Sequence, residues 1–192
     1  SDFICIPSGR PRYPVLDADR TVNGIEIQAG ATIELAGYNL TSTTNAVVAG
    51  AIKAIASETL TFQGNASFPG GALTGTFATI IFHGNADFTG GSFTPDNSVI
   101  LLSGGAAQSI NLANLDFFKI NVLNSAAPVS FVEGFSAVEL RCEAPAGARN
   151  IQFQQGAMFA LRDLILLGST GNTNIFLRSS EPGQTWLLAV SG

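Results

Sequence analysis

The residues able to do chemistry in this 192-residue sequence are few: one histidine, two cysteines and 14 carboxylates. His83 lies between Phe82 and Gly84, at the place that Gln63 takes in a matching stretch earlier in the chain. That place points outward, so His83 reads as a surface residue. No second histidine exists to complete a metal site, and nothing nearby completes a nucleophile triad. Asp87 falls where Ser67 falls in the matching stretch. Asp96, Asp116 and Glu139 lie roughly one repeat apart but in different columns. Glycan cleavage needs carboxylates that converge, often beside Ca²⁺ or a base. The sequence is therefore read as a non-enzyme with no cofactor and no metal.

The cysteines, Cys5 and Cys142, are separated by roughly seven repeats of about 20 residues. At about 4.8 Å per repeat, that is about 30 Å, far beyond disulfide reach. Three arrangements remain open: two unpaired thiols with one buried, a bridge from Cys5 of one molecule to Cys142 of the next, and an internal bridge made by a folded-back N-terminus.

The elements that position these groups come from one line written twice. Thr59-Leu60-Thr61-Phe62-Gln63-Gly64-Asn65-Ala66-Ser67-Phe68-Pro69-Gly70-Gly71 returns, 20 residues on, as Thr79-Ile80-Ile81-Phe82-His83-Gly84-Asn85-Ala86-Asp87-Phe88-Thr89-Gly90-Gly91. A weaker copy sets Leu102, Gly104 and Ala106 where Phe82, Gly84 and Ala86 stood. A fourth sets Val122 and Asn124 in the Leu102 and Gly104 places. A period near 20 is too short for a helical hairpin and fits one coil of a β-solenoid. The expected fold is all-β: a right-handed, single-stranded parallel β-helix of eight or nine coils. Leu60 and Phe62 point inward and Thr61 outward. Gly64 and Asn65 form one corner, Gly70-Gly71 a second, and Leu73 and Phe77 open the third side. Phe62 stacks over Phe82, Phe68 over Phe88, and Asn65 over Asn85 as an amide ladder.

Two segments stand apart. Residues 1–20 read as an extended N-terminal arm or cap outside the repeat, because Pro7, Pro11 and Pro14 interrupt pairing after the short Phe3–Ile6 strand. Residues 21–192 read as one β-helix domain. At its far end, Trp186-Leu187-Leu188-Ala189-Val190 is a strongly apolar strand with no polar cover, an exposed edge of the kind repeat proteins normally cap.

Hydrophobic residues make up 46% and charged residues 12%, so the surface is polar through amides and hydroxyls. That composition suits secreted and cell-surface β proteins. The net charge of −5 comes without a basic cluster, which argues against nucleic-acid binding. No apolar run is long enough for a membrane-spanning helix. Ser1 reads as a mature end from which any targeting segment has gone. Asn39-Leu40-Thr41 and Asn65-Ala66-Ser67 match the glycosylation acceptor pattern, although a corner role explains Asn65.

Three motifs carry a resemblance. They are Val22-x-x-x-x-Ile27-x-Ala29-Gly30-Ala31-Thr32-Ile33-x-Leu35-x-Gly37-Tyr38-Asn39-Leu40, Gly105-Ala106-Ala107-Gln108-Ser109-Ile110 with Phe117-Phe118-Lys119-Ile120, and Phe176-Leu177-Arg178-Ser179-Ser180-Glu181-Pro182-Gly183-Gln184-Thr185-Trp186. The sequence resembles the right-handed β-helix repeats of large bacterial secreted and surface proteins, in the adhesin and filamentous-haemagglutinin-like style. The resemblance implies export and a structural or adhesive role. The expected function is an extracellular cohesive protein that joins head to tail into a filament. Its subunit contacts are Phe3, Ile4, Cys5 and Ile6 on one side and Trp186, Leu187, Leu188 and Val190 on the other, and Cys5 with Cys142 offers an intermolecular disulfide. The alternative is a glycan- or host-binding adhesin module, with Tyr13 or Tyr38 stacking on sugars. A polysaccharide-active enzyme is the third reading.

Overall fold

A computed structural model of the chain describes residues 2–124, 127–144, 148–168 and 174–192. The turns expected at Pro145, Gly147 and Gly171 lie outside the described residues. No helix occurs among those described. The chain winds as a parallel β-solenoid with three sheets. Sheet A has nine strands, from Phe3–Ile6 to Ile175–Ser179. Sheet C also has nine, from Arg20–Val22 to Leu187–Val190. Sheet B has four, from Thr32–Glu34 to Ser92–Thr94.

The duplicated line is two successive coils in register. Thr59 pairs with Thr79, Phe62 with Phe82 and Ala66 with Ala86. Phe62 and Phe82 stack at 5.3 Å, and Phe68 and Phe88 at 4.3 Å. All four rings are fully buried. Burying one such side chain is worth about 1.5–3 kcal/mol, so this column is a main source of stability.

The corner glycines serve two different needs. Gly70 and Gly90 adopt positive φ, which favours glycine. Gly64 does not adopt positive φ; a Cβ there would stand 2.5 Å from the Thr44 carbonyl carbon, so its need is close packing of successive coils. The amide ladder also takes a particular form. Asn45 Oδ1 accepts the Asn65 N–H at 3.0 Å, Asn65 Oδ1 the Asn85 N–H at 2.9 Å, and Asn85 Oδ1 the Ser109 N–H at 2.8 Å. A second ladder runs from Asp19 to the Asn39 N–H at 2.8 Å, and from Asn39 Oδ1 to the Thr59 N–H at 2.7 Å. Each rung satisfies a main-chain donor that a corner would otherwise leave open. Both asparagines of the glycosylation pattern are thus structural rungs.

Three expectations are corrected. Ala106 does not occupy the Ala86 place; Ala86 pairs with Ile110, 24 residues on. Sheet C keeps its 20-residue step there, with Val99 opposite Lys119. Extra residues at the A corner are offset by loss of the sheet B strand, where Ala113 and Asn114 turn with positive φ. Phe77 does not enter the core but is 59% exposed. The segment read as an arm over residues 1–20 is not outside the repeat in its described part, residues 2–20: Phe3–Ile6 pairs in parallel with Gly24–Ile27, and Val15 bridges Glu34. They trace a first coil, which the prolines confine to short pairings. Tyr13 and Leu16 lie against the core beneath them.

Past Phe135 the coils of sheet C lengthen. Phe135 pairs with Phe159 at a step of 24, and Met158 with Leu187 at a step of 29. The strands Asp116–Val122, Phe135–Ala144 and Met158–Gly168 take over the missing third side with their leading halves. The core closes on Trp186, stacked on Phe153 at 4.3 Å and edge-on to Phe159.

Candidate functional site

Most of the residues singled out for chemistry have local partners. His83 is exposed, with Nδ1 3.2 Å from the Ser103 carbonyl oxygen. Asp87 Oδ1 accepts the Thr89 N–H at 2.9 Å and the Thr89 hydroxyl at 2.6 Å, which fixes its own turn. Asp116 accepts from the Ser136 hydroxyl. Glu139 pairs with Lys119, 2.7 Å away, one coil earlier on sheet C. Asp96 sits in a turn with positive φ. These carboxylates occupy different columns, and no group of three potential metal ligands forms among the described residues.

The two thiols are unbonded, Cys5 exposed and Cys142 buried. Cys142 faces the core from the Phe135–Ala144 strand. Burial pushes its pKa up to about 11; Arg149 works against that rise and Glu143 adds to it. The arrangement of two free thiols, one buried, is therefore the one present. A bridge from Cys5 of one molecule to Cys142 of another would require the core to open, and an internal bridge is not formed.

No protein-family profile, curated protein or solved structure matches this chain.

The surface features that stand out are the two ends of the solenoid. At one end, Phe3 is 57% exposed and Cys5 is exposed, while Ile6 is buried and Ile4 half-buried. Main-chain oxygens of Asp2 and Ile6 accept from Asn23 and Gln28, so Phe3 and Cys5 between them aim their backbone groups away from the fold. Charges and prolines crowd the same end. Arg20 bonds Asp17, and that hydrogen bond together with the guanidinium charge holds the Asp17 carboxyl below its ordinary range.

The opposite end is apolar. Leu187 is 58% and Val190 49% exposed, Leu188 is half-buried, and Trp186 is half-buried against Phe153. Leu187 and Ser191 donate their N–H groups to Ala157 and Leu161, which leaves those of Leu188 and Val190 aimed outward. Leu187–Val190 covers only Met158–Leu161 of the strand beneath. The rest of that strand, Leu164–Gly168, pairs with Leu140–Ala144 on one side, and its Leu166 and Leu167 are exposed. An open cleft of about 470 Å³ runs beside this edge, floored by Phe117, Ala137, Leu161 and Val190 and rimmed by Asp116 and Arg162.

The structure thus gathers Trp186, Leu187, Leu188 and Val190 at one edge and sets Phe3 to Ile6 at the other. Sequence reasoning did not single out the Leu164–Leu167 overhang. Its signal was a run of four successive apolar residues where alternation would be expected.

Proposed function

We propose that this protein is an extracellular structural rod that joins copies of itself end to end. The observation that carries the reading is the apolar strand edge formed by Leu187–Val190 and Leu164–Leu167. An edge of that kind is a template for an added strand, because unpaired main-chain groups gain partners and apolar side chains leave water together. The opposite end available for a head-to-tail contact carries Phe3–Ile6, the first strand of sheet A, and Arg20–Val22, the first strand of sheet C; in a coaxial stack these would meet Ile175–Ser179 and Leu187–Val190 of the next copy. Contacts between unlike ends do not close on themselves, so they build filaments. A surface with 12% charged residues lowers the repulsion between stacked copies and fits an exported protein of the adhesin-like kind.

Negative-stain electron microscopy of the purified protein over a range of concentrations tests this. Nine strands at about 4.8 Å predict filaments with an axial repeat of roughly 40 Å. Replacing Leu187 and Val190 with Glu should leave isolated rods. Monodisperse rods of the native protein at every concentration would overturn the reading.

A further inference from the structure

We propose that a niche on the outer face of sheet A, beside its last strand, binds a carboxylate-bearing saccharide. The niche encloses about 380 Å³, within the range of small-ligand sites, about 300–1,000 Å³. Its walls are Gln152, Arg178 and the 179–184 turn. This site lies on the side of the last coil, and its chemistry does not depend on self-association.

Arg178 is exposed on the Ile175–Ser179 strand. Its guanidinium carbon stands 4.7 Å from the centre of the Phe176 ring. Residues two apart on a strand share a face, so the ring and the cation present together. Stacking limits the freedom of the guanidinium, and Arg178 lines the niche. The ion pairs among the described residues involve Arg20, Lys119, Arg141 and Arg162 and not Arg178. A planar carboxylate is the group such a fork takes with two parallel hydrogen bonds.

The other walls suit hydroxyls. Gln152 lies opposite Arg178 in the strand register. Its Oε1 accepts the Ser130 hydroxyl at 2.7 Å, which leaves the amide NH₂ to donate. The Glu181 carboxylate on the rim accepts from sugar hydroxyls. The turn holds its shape without a ligand: Gln184 N–H bonds the Glu181 carbonyl at 3.2 Å, Ser180 N–H bonds the Phe153 carbonyl at 2.8 Å, and Gly183 takes a positive φ. One cation, the amides and hydroxyls of Gln152, Ser179, Ser180 and Gln184, and the Glu181 carboxylate as an acceptor together describe an acidic sugar better than a free anion, which would use the cation alone.

Isothermal titration of the full chain with a panel of carboxylated saccharides (galacturonate, glucuronate and sialic-acid oligomers), each beside its neutral methyl ester, tests the site. At least one acid should bind saturably, and its ester should bind more weakly by roughly tenfold or more. Arg178→Gln should remove the preference, and Arg178→Lys should restore part of it, since a point charge keeps attraction but loses the fork. The thermal midpoint of Arg178→Gln should match the native protein, because the side chain is exposed. Failure of every acid to bind would overturn the proposal. So would an ester that binds as well as its acid, or an Arg178→Gln protein that binds as the native one does.

Discussion

The coils around Thr59–Gly91 and those past Phe135 solve the same problem in different ways. In the central coils a fixed step of 20 sets like over like: Thr59 over Thr79, Phe62 over Phe82, Asn45 beneath Asn65 and Asn85. Identical side chains in identical rotamers stack with little search for fit, and the corner amides repeat the same hydrogen bond. In the later coils the step grows from 24 to 29, and unlike residues meet. Leu166 lies over Cys142, and Asp163 over Glu139. Ring geometry there is mixed: Phe135 and Phe159 meet edge to face, while Phe153 and Trp186 stack. The strands beneath are longer, 10 and 11 residues, so more main-chain pairing accompanies the less regular packing. Repetition is thus one route to a filled solenoid core, and length of pairing is another.

The sharpest way to break the comparison is Phe82→Ala. Its ring is fully buried and held by Phe62 and Phe88. Chemical denaturation should show a loss of about 3–5 kcal/mol. Trp186→Ala, at a half-buried site, should lose less than about 3 kcal/mol. Equal losses would mean that the two regions do not differ in packing.

Next comes pH, read at Cys142. Its thiol is raised from 9.0 to about 11 in the fold. Between those values the folded protein holds a proton that the unfolded chain has released. The contribution is therefore complete below about pH 9 and is lost as pH rises through about 11. Thermal midpoints should fall over that window in the native protein and fall less in Cys142→Ala. At pH 8, iodoacetamide should label Cys5 and spare Cys142, read by mass spectrometry.

A smaller effect tests the ladder. Asn65→Ala removes the acceptor for the Asn85 N–H and should cost about 1–2 kcal/mol. Asn65→Asp keeps that acceptor and should cost less. A comparable effect is expected between the two regions: Lys119→Met takes the partner from a largely buried Glu139 carboxylate and should cost about 1–2 kcal/mol.

Most of the central fold was legible because its period was written in the residues themselves. The candidate site was less so. Trp186 to Val190 showed as an apolar strand, but its partner edge at Leu164–Leu167 depends on where Leu187–Val190 stops covering the strand below. The Arg178 niche was also hidden, since Gln152 and Arg178 are 26 residues apart and meet only through a lengthened coil.

By itself the sequence determined the solenoid, the stacked phenylalanines and the outward His83. Each follows from a two-residue alternation repeated at a constant step, which fixes both face and column. Only the tertiary structure decided that residues 2–20 complete a first coil, that Phe77 turns outward, and that Ala86 meets Ile110 and not Ala106. It also placed Cys142 in the core. Those outcomes depend on residues gained at one corner and lost at another, and on pairing between distant strands. Local alternation carries no record of either.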